Sequence, residues 1–84
     1  MPVLSCFYGI IIRMYFQQSE HNPPHIHAIY GEHVAAIDIK TRNVLEGYLP
    51  AKAMDMVNEW IEMHEAALIN IWETQNFVSL PPLE

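Results

Sequence analysis

The sequence predicts an α+β fold, in which an antiparallel β-meander of about five strands packs on one C-terminal amphipathic helix. Up to about residue 49, short runs of β-branched and aromatic residues alternate with Gly, Pro and Asn. After that point, apolar residues recur at spacings of three and four. A chain of 84 residues has room for one core. We therefore expect a single domain over residues 1–84, with strands within about 2–49, a helix at about 50–74 and an extended tail at 75–84.

The strands are separated by recognisable turn residues. The runs "PVLSCFY" and "IIIRMYF" flank Gly9, and "HNPP" then breaks the chain, because two prolines cannot feed a central ladder. The runs "HIHAIY" and "HVAAIDI" flank Gly31-Glu32, and a two-residue loop with Gly first suits a type II′ hairpin. The fifth run, "VLEGYL", follows "TRN", in which Asn43 can take the left-handed conformation that closes a three-residue loop.

These turns fix a register and so divide the histidines. With Gly31-Glu32 as the turn, Tyr30 faces His33 and His25 faces Asp38. A three-residue loop at 41–43 pairs Asp38 with Glu46, which predicts a row of His25, Asp38 and Glu46 with His27 beside it. The remaining strand residues divide between a core face (Ile26, Ala28, Tyr30, Ala35, Ile37, Ile39, Leu45, Leu49) and a second face that also holds Ala36, Lys40, Val44 and Tyr48. His33 falls at the core rim, and His21 lies in the loop.

The histidine row allows three interpretations. Side chains opposed across a ladder lie about 5 Å apart at Cβ, so His25, His27, Asp38 and Glu46 are candidate ligands for a divalent metal such as zinc. Alternatively, His25 is a catalytic acid–base that Asp38 orients, while His27, Glu46 and Tyr48 bind the ligand. The simplest interpretation is a solvated cross-strand contact, because H-x-H on a strand is a weak motif.

The helical segment carries its apolar residues on one side and Asp55, Glu59 and other carboxylates on the other. Pro50 suits a first helical position, and a bend near His64 is compatible with one continuous helix. We expect Trp60 and Trp72 to anchor the core, and His64 to be a core or rim histidine with a hydrogen-bond partner. Cys6 is expected to be buried and inert.

Composition narrows the classes of function. The formal net charge is −6 with only four lysines and arginines, so a direct nucleic-acid binder is disfavoured because it would need a basic surface. "GIII" is far too short for a membrane span. One cysteine cannot form an internal disulfide, which favours a cytoplasmic protein. The apolar fraction of 51% is high for so short a chain and predicts a homo-oligomer or a partner protein.

Five stretches resemble one known family. "FYGIIIRMYF", "EHNPPHIHAIYGE", "AAIDI", "VLEGYLP" and "NEWIEMHEAALINIWE" are similar, in this order, to small bacterial proteins grouped as domain of unknown function 4160. The likeness spans about Pro2 to Glu73, and His25 and His27 match the family's PPHxH motif. Members usually carry an acidic pair in the helix, and Glu65-Ala66-Ala67-Leu68 departs from it.

The resemblance brings no assigned activity, but it implies a bacterial or phage setting. Genes of this family often lie beside one for domain of unknown function 2442, in a layout similar to toxin–antitoxin modules. We therefore predict a protein that acts by association, as one component of such a two-gene module. The alternative is a histidine-based or metal-dependent hydrolase, such as an RNase, that uses the His25/His27/Asp38/Glu46 face. A third hypothesis is a structural homodimer that pairs the second sheet face or an edge strand.

Overall fold

The computed structural model describes residues 3–14 and 23–83, and the predicted α+β arrangement is confirmed. Five strands form one antiparallel sheet in which each strand pairs with the next along the chain, and one helix follows them. The elements are β1 (Val3–Phe7), β2 (Ile10–Arg13), β3 (His25–Tyr30), β4 (His33–Asp38), β5 (Val44–Gly47) and α1 (Ala51–Thr74).

The core lies between one face of the sheet and α1. The helix buries seven residues at spacings of three and four: Ala53, Val57, Trp60, Ile61, Leu68, Ile71 and Trp72. Both tryptophans are therefore core residues, as predicted, and Trp60 packs on Phe7 with ring centroids 5.8 Å apart. Complete burial of a large apolar side chain contributes about 1.5–3 kcal/mol, so this single helix face supplies much of the driving force for folding.

The helix bends at His64, where the sequence was compatible with a bend. His64 has φ −120° and ψ 16°, outside the helical range, while the helix continues on both sides of it. The ring of His64 rests on Trp60, with centroids 5.1 Å apart, and the residue is half-buried, as expected for the rim. Its Nε2 has no hydrogen-bond partner among residues 3–14 and 23–83, so the expected partner is not found there.

The β3–β4 hairpin has the predicted register. Tyr30 pairs with His33, Ala28 with Ala35, and His25 with Asp38. Gly31 has φ 60°, as the first turn position of a type II′ hairpin requires.

The predicted β4–β5 register is wrong, by two residues at Glu46 and by three at Val44. Glu46 faces Ala36, not Asp38, because the loop is longer than three residues and Leu45 forms a bulge opposite the Ala36–Ile37 step. The Asp38 carboxylate Oδ1 accepts the amides of Lys40 (2.8 Å) and Thr41 (3.0 Å) and so organises the loop.

In that loop Arg42, and not Asn43, takes the left-handed conformation, with φ 63°. Its guanidinium also pairs with Glu65 of α1 at 2.9 Å, so the loop is tied to the helix just after the bend.

The face assignment needs three more corrections. Tyr30 is 38% exposed and Leu45 is 46% exposed, although both were assigned to the core face, whereas Leu49 is buried as predicted. The bulge accounts for Leu45, and Tyr30 ends its strand at the turn. Cys6 is exposed, not buried, because it pairs with Ile11 on the outward face of the sheet.

The tail after α1, residues 75–83, has no helix or strand and packs on the sheet edge. Its Leu80 N–H donates to the Leu4 carbonyl of β1 at 2.7 Å. The Trp60 Nε1–H donates to the Pro81 carbonyl at 2.8 Å. The tail thus covers the β1 edge, and β5 forms the other edge. No helix within the described residues has an apolar stretch long enough to cross a membrane.

Candidate functional site

The sheet face turned away from α1, which we call the open face, carries two parallel rows of side chains. In the first, Arg13 pairs with His27, His27 with Ala36 and Ala36 with Glu46. We call these four residues, one from each of β2 to β5, the polar row. The row predicted from the sequence is therefore replaced by one that includes Arg13 and passes through His27.

The second row is apolar and lies next to the first. Ile11 pairs with Ile29, and Ile29 pairs with Val34. The Tyr48 N–H donates to the Val34 carbonyl at 3.1 Å, so Tyr48, which directly follows β5, continues the row. We call Ile11, Ile29, Val34 and Tyr48 the apolar row. Val34 is 47% exposed and Tyr48 is 64% exposed, so this side of the sheet presents apolar side chains to solvent.

A shallow depression of about 280 Å³ lies at the histidine end of the open face. His25, His27 and Glu46 line it together with Pro23, Ala36 and Leu45. Ala36 forms part of its floor because its small side chain stands between two longer ones in the polar row. Three of the four predicted metal-ligating residues therefore share one concavity.

His25 is held in a defined orientation. Its Nδ1 lies 2.8 Å from the Pro23 carbonyl oxygen, and a carbonyl can only accept, so Nδ1 carries the proton. Nε2 is therefore the ring nitrogen that can serve as a base or ligand when it carries no proton. The ring also contacts Trp72 of α1, with centroids 5.0 Å apart, so both the helix and the double proline position this histidine.

His27 lies beside His25, with ring centroids 5.3 Å apart. Burial lowers the pKa of His27 below 6.5, the charge of His25 lowers it further, and Glu46 opposes both effects. His27 is therefore neutral at pH 7, the form that accepts a proton.

Asp38 does not line the depression. It pairs with His25 across the ladder as predicted, but its Oδ1 is occupied by the amides of the following turn. The contact that orients His25 comes from Pro23 instead. Asp38 thus holds the loop through these two hydrogen bonds, and its catalytic role stays a prediction.

Tyr48 lies apart from the histidine pair. Its ring contacts His33, with centroids 5.6 Å apart, at the opposite end of the open face from His25. Within residues 3–14 and 23–83, no three His, Cys, Asp or Glu side chains are grouped closely enough to hold a metal ion. His25, His27, Asp38 and Glu46 do not form the predicted four-residue cluster, and zinc binding stays a prediction. His21 lies outside the described residues.

Three contributors to the site were missed in the sequence. Arg13 was missed because the β2–β3 connection contains no two-residue turn that would fix its register. The carbonyl of Pro23 was missed because a pattern of side chains does not predict which backbone carbonyl accepts a hydrogen bond. Leu45 was missed because a bulge interrupts the alternation from which faces are assigned.

These features define a small α+β protein whose antiparallel sheet carries a helix on one face and a histidine-bearing surface on the other. A family model described as Domain of unknown function (DUF4160) matches residues 9–73. The chain belongs to this family, and the resemblance seen in the PPHIH, YGE and LEGYLP stretches is confirmed. No curated protein and no solved structure matches it.

Proposed function

We propose that the protein acts by protein–protein association and that the open face is its binding surface. The observation that carries this proposal is the apolar row, where Val34 and Tyr48 are 47% and 64% exposed on a sheet face that α1 does not cover. Single exposed apolar residues are ordinary, whereas neighbouring exposed apolar residues are typical of an interaction site, and the half-buried Ile11 and Ile29 continue the row. Leu45, which is 46% exposed, adds an apolar side chain at the histidine end of the same face, where it lines the depression.

The biological setting we propose is a two-gene module of the toxin–antitoxin type. This part rests on the family resemblance, which implies a neighbouring gene for another small protein. The product of the adjacent gene is therefore the first partner to test. The eight residues of the two rows include one cation, Arg13, and one carboxylate, Glu46, and such a mostly uncharged surface suits a folded protein better than a nucleic acid.

Co-expression followed by size-exclusion chromatography tests the proposal. We expect an assembly larger than the 9.7 kDa monomer, formed with the neighbouring product or with a second copy. Val34→Lys should disrupt it, because a buried lysine loses its hydration. Val78→Lys is the matched control, since this valine of the tail is 49% exposed. A monomer under all conditions would overturn the proposal, and the absence of any growth effect from either gene would overturn the module.

The histidine pair supports a second candidate, a histidine-based hydrolase acting on phosphodiesters such as RNA. The observation in its favour is the fixed orientation of His25, whose Nε2 is available, beside a neutral His27. In such a reaction the neutral ring of His27 would accept a proton from the nucleophile, and the imidazolium form of His25 would donate one from Nε2 to the leaving group. The net charge of −6 works against binding a polyanion.

His25→Asn tests the hydrolase, because an asparagine amide can still donate to the Pro23 carbonyl. We expect at least a ~100-fold loss of phosphodiesterase activity with a melting temperature close to that of the wild type. His33→Asn, outside the depression, should retain activity. Adding EDTA separates a metal-dependent reaction from a metal-free one, and wild-type protein without any phosphodiesterase activity would overturn this candidate.

A further inference from the structure

We propose that the occupant of the open face is a second copy of the same chain, in a two-fold symmetric dimer. The inference rests on the proposed function, because it names the partner of that surface. The supporting observation is the order of residues in the two rows. When a second copy is rotated onto the first, each row places complementary residues opposite one another. Arg13 begins the polar row on β2 and Glu46 ends it on β5, so the row has opposite charges at its two ends.

The two-fold axis runs parallel to the strands, between β3 and β4. Rotation about this axis lays β2 of one copy over β5 of the other and keeps each row over its counterpart. Arg13 then faces Glu46 of the second copy twice in the interface. An axis perpendicular to the strands would instead lay the polar row over the apolar row, leaving the charges of Arg13 and Glu46 against Ile11 and Tyr48.

Side-chain size in the rows fits the same axis. His27 on β3 comes to lie over Ala36 on β4 of the second copy, and Ala36 is the floor of the groove between His27 and Glu46. A large side chain thus meets a small one. In the apolar row Ile29 meets Val34, and Ile11 meets Tyr48. Two sheets packed in this way, with strands nearly aligned, form a β-sandwich whose layers are about 10 Å apart.

The distribution of charge favours this face over the helix as the self-association surface. The exposed carboxylates of α1, including Asp55, Glu59, Glu62 and Glu73, lie on the helix surface. In the proposed dimer the two helices are on the outside of a four-layer sandwich, so their carboxylates are far apart. Packing through the helices would bring these like charges together in a chain with a net charge of −6.

Charge reversal tests the pairing. Arg13→Glu alone and Glu46→Arg alone each create like-charge contacts at both ends of the row, and we expect the dissociation constant of the dimer to rise at least ~10-fold. The double variant Arg13→Glu/Glu46→Arg restores both pairs and should return the dissociation constant to near that of the wild type. Mixing the two single variants should produce a heterodimer, because each supplies the charge that the other needs.

The recovery expected for the double variant cannot come from a contact between residues 13 and 46 of the same chain. Arg13 and Glu46 are three strands apart, about 14 Å, which exceeds the screening length of about 8 Å at physiological salt. Light scattering on a size-exclusion column gives the mass, expected at twice 9.7 kDa for the wild type and the mixture. Thermal unfolding of each single variant checks that it remains folded.

The outcomes distinguish this inference from the proposed function. A wild-type monomer that still binds the neighbouring gene product, with sensitivity to Val34→Lys, overturns the dimer and leaves the proposed function standing. A wild-type monomer without that binding overturns both. A dimer that both single charge reversals leave intact overturns the arrangement described here.

Discussion

Gly47 offers the sharpest test of how β5 is held to the sheet. Its φ is 84°, and a Cβ added there would lie 2.0 Å from the Val34 carbonyl oxygen and 3.0 Å from the Ala35 Cα. Both neighbours are backbone atoms of β4, so no side-chain rotation can relieve the overlap. Gly47→Ala therefore forces β5 away from β4.

The loss of stability expected for Gly47→Ala has two parts. A left-handed conformation costs an alanine about 1–2 kcal/mol, and overpacking against fixed atoms adds about 1–3 kcal/mol. We expect Gly47→Ala to lower the free energy of unfolding by about 3 kcal/mol. Gly31→Ala is the control, because Gly31 has φ 60° but nothing within 4 Å of the added Cβ, so only the conformational part of about 1 kcal/mol remains.

Urea unfolding followed by tryptophan fluorescence measures this difference, since Trp60 and Trp72 are both buried. Amide exchange of Tyr48, whose N–H bonds the Val34 carbonyl, shows whether β5 alone separates. Equal losses in the two variants, with the Tyr48 amide still protected, would refute the argument that β5 approaches β4 too closely for a side chain.

Four further outcomes are expected. The pKa of His27 is lowered below 6.5 in the folded state, so the unfolded state binds more protons and stability falls as pH drops below about 6.5; His27→Gln should flatten this slope in urea titrations at pH 5 to 8. Trp60→Phe removes the hydrogen bond to the Pro81 carbonyl, and we expect a loss of about 1 kcal/mol and faster proteolysis of the tail. Asp38→Ala removes two turn hydrogen bonds, and chemical denaturation should show a loss of about 1–2 kcal/mol. The thiol of exposed Cys6 should react with a thiol reagent in native buffer, and protection until denaturant is added would contradict its placement.

The parts of the fold that could be predicted are those that short-range chemistry determines. The pair Gly31-Glu32 admits one two-residue turn, and that turn fixed every pairing between β3 and β4. The helix was predictable because its apolar residues follow one period over 24 residues. The sequence also allowed a bend near His64, whose ring rests on Trp60.

The β4–β5 register could not be predicted, because it depends on a side chain acting on the backbone. The Asp38 carboxylate captures two amides of the loop, and Arg42 takes a conformation more usual for Asn or Gly. The bulge at Leu45 then shifts the pairing of β5 with β4 between Val44 and Glu46. Neither event changes the apolar pattern, so His25 and His27 were placed correctly while Glu46 was given the wrong neighbour.

The tail along β1 also determines how the protein behaves after proteolysis. β1 is an edge strand whose Leu4 carbonyl is satisfied by the Leu80 N–H, and Phe77, Leu80 and Leu83 lie against the core. Proteolytic loss of residues 75–83 would bare both the strand edge and an apolar groove. An unprotected edge is a template on which strands of other molecules can add, so a clipped preparation should aggregate through β1 while its open face is still intact.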